Sequence, residues 1–211
     1  MKEKIEFFYK QIEGLKGKGG AKIEEVTQFT FQEKTPSANV GNFTVMNGRF
    51  LHFEEKFLTN DNFTEKSTFR KVGDGFLLEL ESKTLLIIEI KTNIGFMTYK
   101  NLLQQLTASA IKALVNLSLT ESPQSIHLQL FIIGKWKDES AEDKTNELEM
   151  GEMNEHELLY YSYQKMRKKG YFIFPNFPHF SHLSENLCDL YKKKGIKLQY
   201  FPNNSTYNFH P

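Results

Sequence analysis

Asp74, Glu89 and Lys91 stand out because they are charged and their surroundings are not. Residues 73–93 read Gly-Asp-Gly-Phe-Leu-Leu-Glu-Leu-Glu-Ser-Lys-Thr-Leu-Leu-Ile-Ile-Glu-Ile-Lys-Thr-Asn, two apolar strands joined by a tight turn. Charges at the end of an apolar hairpin are costly unless they have partners or a task. Strand side chains alternate between faces, so Glu89 and Lys91 point the same way. With Ser82-Lys83 as a two-residue hairpin loop, Glu81 opposes Thr84, Phe76 opposes Glu89 and Asp74 opposes Lys91. Asp74 and Glu89 are then diagonal neighbours, about 7–8 Å apart at the backbone. Two carboxylates so placed could share a divalent cation, with the lysine ammonium beside them. The same face carries Phe76, Leu78, Leu80, Leu85 and Ile87 and is expected to be buried. Glu79 and Glu81 fall on the other face, where solvent is expected. A loop one residue longer or shorter would flip one strand and break this arrangement.

Other elements must hold the hairpin in place. Ile5, Phe8, Ile12 and Leu15 predict an opening helix over 3–16. The glycine–lysine run at 16–20 ends it as a turn; it has no Walker pattern. A strand is expected at 26–32, a loop at 34–42, a short helix at 49–58 with Phe50, Phe53 and Phe57 on one side, and a strand at 64–72. After the hairpin, Leu102, Leu103, Leu106, Ala110, Ala113, Leu114 and Leu117 repeat at helical spacing and predict a long helix over 99–117. Residues 125–134 read as a buried strand and 138–157 as an acidic loop. A helix over 157–169 has a basic last turn and stops at Gly170. A strand at 171–174, a helix at 184–194, a strand at 196–201 and a loose tail over 202–211 complete the reading.

Composition bounds the possibilities. A chain of 211 residues, 39% hydrophobic and 14% aromatic with 19 Phe, is long enough for one domain with a real core. Its 27 basic and 26 acidic residues leave a formal charge of +1, which argues against a strongly basic coat but allows a local basic groove. The single cysteine, Cys188, rules out a disulfide within the chain and fits a reducing compartment. The first residues lack an apolar signal core, and no run approaches the roughly 18 apolar residues of a membrane span. The expectation is an intracellular protein, in cytoplasm or nucleus, neither secreted nor bound to a membrane.

The order helix, three strands, helix, strand, with Asp74 and Glu89-Ile90-Lys91 in it, resembles the PD-(D/E)xK nuclease superfamily, the restriction-endonuclease-like proteins. The family aspartate lies at the start of the second core strand, and its Glu-x-Lys near the end of the third. The resemblance implies an α/β fold: an α-β-β-β-α-β core with a mixed central sheet flanked by helices, plus C-terminal helix–strand additions. It covers residues 49–134 of a single domain spanning 1–211, with 1–48 as an N-terminal extension and 135–211 as the additions. Gly73 stands where the family has its proline. Gly48 to His52, followed by Glu54 and Glu55, is similar to a glycine–histidine motif in the first core helix of the exonuclease-type branch. That branch also carries Gln-x-x-x-Tyr after the Glu-x-Lys; here Gln105 opens the pattern and Ser109 replaces the tyrosine. The interval from His52 to Asp74 is short for the branch, and no branch is assigned.

The resemblance implies metal-dependent hydrolysis of phosphodiesters, in DNA ahead of RNA. Asp74 and Glu89 would be metal ligands for Mg²⁺ or Mn²⁺, with the Ile90 carbonyl as a third. Lys91 would position the attacking water or stabilise developing phosphate charge. Glu54, Glu55 or Glu13 could add a further acid. The alternative is an inactive nuclease-fold module binding nucleic acid or a protein partner, and in either reading the chain could form a homodimer. Other polar groups have plainer readings. Gln104 and Gln105 suit a solvated helix face, though Gln105 could reach substrate or Lys91. His179 and His182 lack further zinc ligands apart from Cys188. The basic runs at Lys165, Arg167, Lys168 and Lys169, and at Lys192, Lys193 and Lys194, complement helix dipoles. Tyr160, Tyr161, Tyr163, Phe172 and Phe174 read as core.

Overall fold

Aromatic and β-branched residues make strands the commonest element among the described residues. The computed structural model describes residues 2–5, 23–32, 41–53, 73–118, 120–137, 154–174 and 196–210. In chain order they form β1 (Ile23–Gln32), β2 (Asn42–Phe53), β3 (Gly75–Glu79), β4 (Thr84–Ile94), α1 (Phe96–Leu117), β5 (His127–Trp136), α2 (Glu155–Lys169), β6 (Tyr171–Phe174), β7 (Ile196–Pro202) and β8 (Ser205–Asn208). One mixed sheet runs β1-β2-β3-β4-β5-β7-β6, and β8 pairs with β2. β1 to β4 are antiparallel neighbours. β4, β5 and β7 run parallel, with α1 carrying the crossover from β4 to β5.

The sheet separates two cores. On one face α1 lays down Leu102, Leu103, Leu106, Ala110, Ala113, Leu114 and Leu117 against Phe76, Leu78, Leu85, Ile87 and Leu130. α2 joins this layer through Leu159, Tyr163 and Met166, and its Ser162 Oγ accepts the buried Tyr99 hydroxyl at 2.9 Å. Asn154 and Glu157 form a reciprocal capping box at the start of α2, and Gly170, at φ 75°, ends it. On the other face Phe31, Phe43, Val45, Phe50, Leu86, Ile88, Phe131, Ile133 and Phe209 pack together. Phe43 of β2 and Tyr207 of β8 meet Phe131 of β5 at 5.9 and 4.9 Å between ring centroids. β2 and β5 are separated by β3 and β4 in the sheet, so the sheet curls over itself on this side. Among the described residues, helices therefore flank one face, and the curled strands β1, β2 and β8 cover the other.

Several expectations change. Residues 49–53 are strand, not helix: Arg49 to Phe53 close β2. Phe50 and Phe53 have helical spacing because β2 is buried on both sides; Phe50 enters one core, and Leu51 and Phe53 the other. β2 runs unbroken across residue 48, so the strands before and after it share one sheet. The end of the chain is not loose. Ser205–Asn208 pairs in parallel with Phe43 to Met46 of β2, and Phe209 is buried. The loop between β3 and β4 spans residues 80–83, not Ser82-Lys83 alone, so Phe76 faces Ile87 and Leu78 faces Leu85. Glu79 is buried, not solvated; its Oε2 accepts the backbone N–H groups of Glu81 and Ser82 at 3.0 and 2.7 Å and the Ser82 hydroxyl at 2.7 Å. Burial pushes the Glu79 pKa up, but these bonds outweigh it and hold the group below its ordinary value. The strand at 64–72, the helix at 184–194, residues 6–16 of the opening helix and residues 138–153 of the acidic loop lie outside the described residues, whereas 155–157, read as the end of that loop, open α2 behind the Asn154 cap.

Candidate functional site

The site forms where β3 begins and β4 ends. Leu85, Ile87 and Glu89 alternate with Leu86, Ile88 and Ile90, so the odd-numbered residues face α1. Glu89 thus follows two core aliphatic residues into the layer beneath α1 and is fully buried. The register moved two residues from the sequence expectation, and two residues preserve the face. Pairing of Gly75 with Ile88 brings Asp74 level with Glu89 rather than diagonal to it.

Asp74 sits in the bend before β3. Its Oδ2 accepts the Ile90 backbone N–H at 2.7 Å. Continuing the β3–β4 register would pair Ile90 with Gly73, so the Asp74 carboxylate takes a place that a backbone carbonyl would otherwise fill. Gly73 instead turns its N–H to Ser109 Oγ on α1, at 2.7 Å. The serine in the place of the exonuclease-branch tyrosine is therefore a backbone anchor beside Asp74. A side chain on Gly73 would come within 3.0 Å of the Ile88 carbonyl and 3.4 Å of Glu89 Oε2. Glycine keeps that side of the carboxylate clear.

Lys91 completes the group. Its Nζ lies 2.7 Å from Glu89 Oε1 and 3.8 Å from Asp74 Oδ2. The first contact is a charge-assisted one at hydrogen-bond distance, and the Asp74 backbone N–H also stabilises the Glu89 carboxylate. Asp74 and Lys91 keep about a third of their side-chain surface exposed, while Glu89 has none, so the lysine and aspartate rim a buried carboxylate. Burial pushes the Glu89 pKa up to about 8; the Asp74 charge adds to the rise, and Lys91 opposes it. Beyond Lys91 the ladder slips: Lys91 pairs with Gly134 but Ile94 pairs with Trp136. This bulge presses the Lys91 carbonyl toward Gly134, where a Cβ would lie 2.3 Å from it, so only glycine fits.

The three residues singled out in the sequence are thus brought together. The donor set suits a hard cation: two carboxylates, one of them fully buried, and the Ile90 carbonyl. Because the Ile90 N–H points to the β3 edge of β4, its carbonyl leaves on that edge too. Among the described residues no group of three or more His, Cys, Asp or Glu side chains converges. His52 is not part of the site. It lies on β2, pairs with Leu77 on the face opposite Glu89, and stacks on Phe29 at 3.8 Å. Gln104 and Gln105 are half-buried on α1. Glu13, Glu54, Glu55, His179, His182 and Cys188 lie outside the described residues. The roles of Gly73 and Ser109 escaped sequence reasoning; the replaced tyrosine position was the one signal pointing to Ser109.

The sequence matches no protein-family model, and no curated protein and no solved structure matches it. No helix among the described residues is long and apolar enough to cross a membrane.

Proposed function

We propose that this protein is a metal-dependent nuclease of the PD-(D/E)xK type, acting on DNA. The observation that carries the reading is the convergence of Asp74, Glu89 and Lys91, with Lys91 Nζ 2.7 and 3.8 Å from the two carboxylates and Glu89 fully buried. The antiparallel run β2-β3-β4, the α1 crossover and the parallel β5 support the β-β-β-α-β part of the restriction-endonuclease-like core. In this reading β2 takes the place of the first core strand.

A phosphodiester resists hydrolysis because its anionic oxygens repel hydroxide. Asp74, Glu89 and the Ile90 carbonyl would hold Mg²⁺ or Mn²⁺, which supplies charge neutralisation at the phosphate and a bound water of lowered pKa. The Ile90 N–H anchors Asp74 through Oδ2, so Oδ1 would be the oxygen offered to the cation. Glu89 would offer its buried carboxylate to the cation beside the Lys91 ammonium. Lys91, on its short reach from both acids, places an ammonium where a water or a developing phosphate oxygen needs one.

Purified protein is expected to cleave DNA with Mg²⁺ or Mn²⁺, and Lys91→Ala to abolish cleavage while circular dichroism stays native. Undiminished cleavage by that variant would remove the proposed site. Salt-sensitive binding of DNA with no cleavage under either metal would favour an inactive nuclease-fold module instead.

A further inference from the structure

Lys112 is a buried cation that the carboxylate site does not use. Only 3% of its surface is exposed, in the C-terminal third of α1. Burial lowers its pKa, and no carboxylate among the described residues contributes to the shift. Lysine in such a place is costly unless an anion meets it or its ammonium reaches water. A leucine would fill the same volume at no electrostatic cost.

Its position in α1 is informative. Gln105, Ser109, Lys112 and Asn116 follow one another at helical spacing and lie in one line along the helix. Ser109 fixes where that line runs, because its hydroxyl holds the Gly73 N–H at 2.7 Å, one residue from Asp74. Lys112 is one turn further on, with its Cβ about 5–6 Å from that of Ser109. The polar line of α1 therefore leads from the acidic pair to an ammonium group with no partner acid among the described residues. Ala108, Ile111 and Ala113, buried and apolar, flank it on the helix.

We propose that Lys112 is a second phosphate-binding cation of this site, taking a non-bridging oxygen of the nucleic-acid backbone next to the phosphodiester that meets Lys91. This rests on the nuclease reading of Asp74, Glu89 and Lys91. The two cations differ in task. Lys91 stands among the metal ligands and serves the reacting phosphate, whereas Lys112, with no acid beside it among the described residues, serves a neighbouring one. Removing Lys112 should therefore weaken binding of the nucleic acid without disturbing the metal ligands.

The test is equilibrium binding of a fluorescein-labelled double-stranded oligonucleotide in chelator, across a salt series, for wild type, Lys112→Arg, Lys112→Met and Lys112→Gln. Lys112→Met and Lys112→Gln are expected to bind on the order of tenfold more weakly. Their salt slopes should fall by about one unit, one phosphate contact fewer, and Lys112→Arg should keep the wild-type slope. The two neutral variants differ in polarity, so a folding defect in one leaves the other as the measurement. Wild-type affinity and slope in the neutral variants would overturn the proposal and leave Lys112 as a lysine whose ammonium reaches solvent. A wild type that binds no DNA would overturn it as well. Lys112-dependent binding without metal-dependent cleavage would keep it and sink the nuclease reading; cleavage with no Lys112 dependence would do the reverse.

Discussion

The Asp74 carboxylate accepts the Ile90 backbone N–H at 2.7 Å, which ties the bend before β3 to the residue between Glu89 and Lys91. One side chain thus ends a strand pairing and sets the spacing of the acidic pair. The two roles separate by substitution. Asp74→Asn keeps an oxygen for the Ile90 N–H and removes the charge. Asp74→Ala removes both and leaves a buried N–H unpaired, at a cost of about 1–3 kcal/mol. Both variants should lose metal-dependent cleavage, but only Asp74→Ala should lower the denaturant midpoint clearly. Equal stability of the two would mean that the hydrogen bond does not hold the bend.

Glu89 predicts the pH dependence of stability. Its folded pKa is raised, from an ordinary value of 4.5 to about 8, so the folded chain keeps a proton that the unfolded chain releases. That contribution is full below about pH 4.5 and is lost as pH rises through about 8. In chelator, the protein should lose on the order of a few kcal/mol across this window. Glu89→Gln mimics the protonated carboxyl and should flatten the curve. Excess Mg²⁺ should also flatten it by favouring the ionised form, and chelation should restore it. Denaturant melts across the window check all three; an unchanged slope in Glu89→Gln would assign the dependence to other groups.

Gly73 and Ser109 form a second tie, between the hairpin and α1. Ser109→Ala leaves the buried Gly73 N–H without its acceptor and should cost about 1–3 kcal/mol. Gly73→Pro should cost more. It removes the donor itself and places ring atoms where a Cβ already stands 3.0 Å from the Ile88 carbonyl. The proline that names the nuclease family would thus be destabilising at this position. Stability close to wild type in Gly73→Pro would show that the bend relaxes freely.

The legible parts of the fold were those with a sustained period. α1 repeats its leucines over five turns, β4 is a continuous apolar run, and α2 ends at a glycine with positive φ. The candidate site was legible for a narrower reason. Which face Glu89 occupies depends on parity alone, so a loop two residues longer than expected left Asp74, Glu89 and Lys91 together. β2 was misread because a strand buried on both faces loses its alternation, and Phe50 and Phe53 then mimic a helical stripe. Glu79 was misread because a carboxylate that binds its own turn can be buried. Ser109 and Gly73 meet across a separation of 36 residues, which no local pattern encodes.

The last strand tests the limit of such patterns most sharply. Residues 202–211 are rich in Asn, Pro and Ser and show no apolar run, yet Tyr207 and Phe209 close the second core. Asn204, at φ 62°, makes the turn that brings β8 back onto β2, and its N–H donates to the Asn42 carbonyl at 2.8 Å. Deleting residues 203–211 strips the β2 edge of its parallel partner and uncovers Phe43, Phe50 and Phe131. Each buried aromatic or large aliphatic side chain is worth about 1.5–3 kcal/mol, so the loss should reach several kcal/mol. The truncated chain should melt well below the full-length protein and bind a hydrophobic dye near room temperature. Because this face lies across the sheet from Glu89, two milder substitutions, Tyr207→Phe and Asn204→Gly, should leave DNA cleavage intact. Loss of cleavage in either, with an unchanged melting temperature, would mean that the two faces of the sheet are coupled.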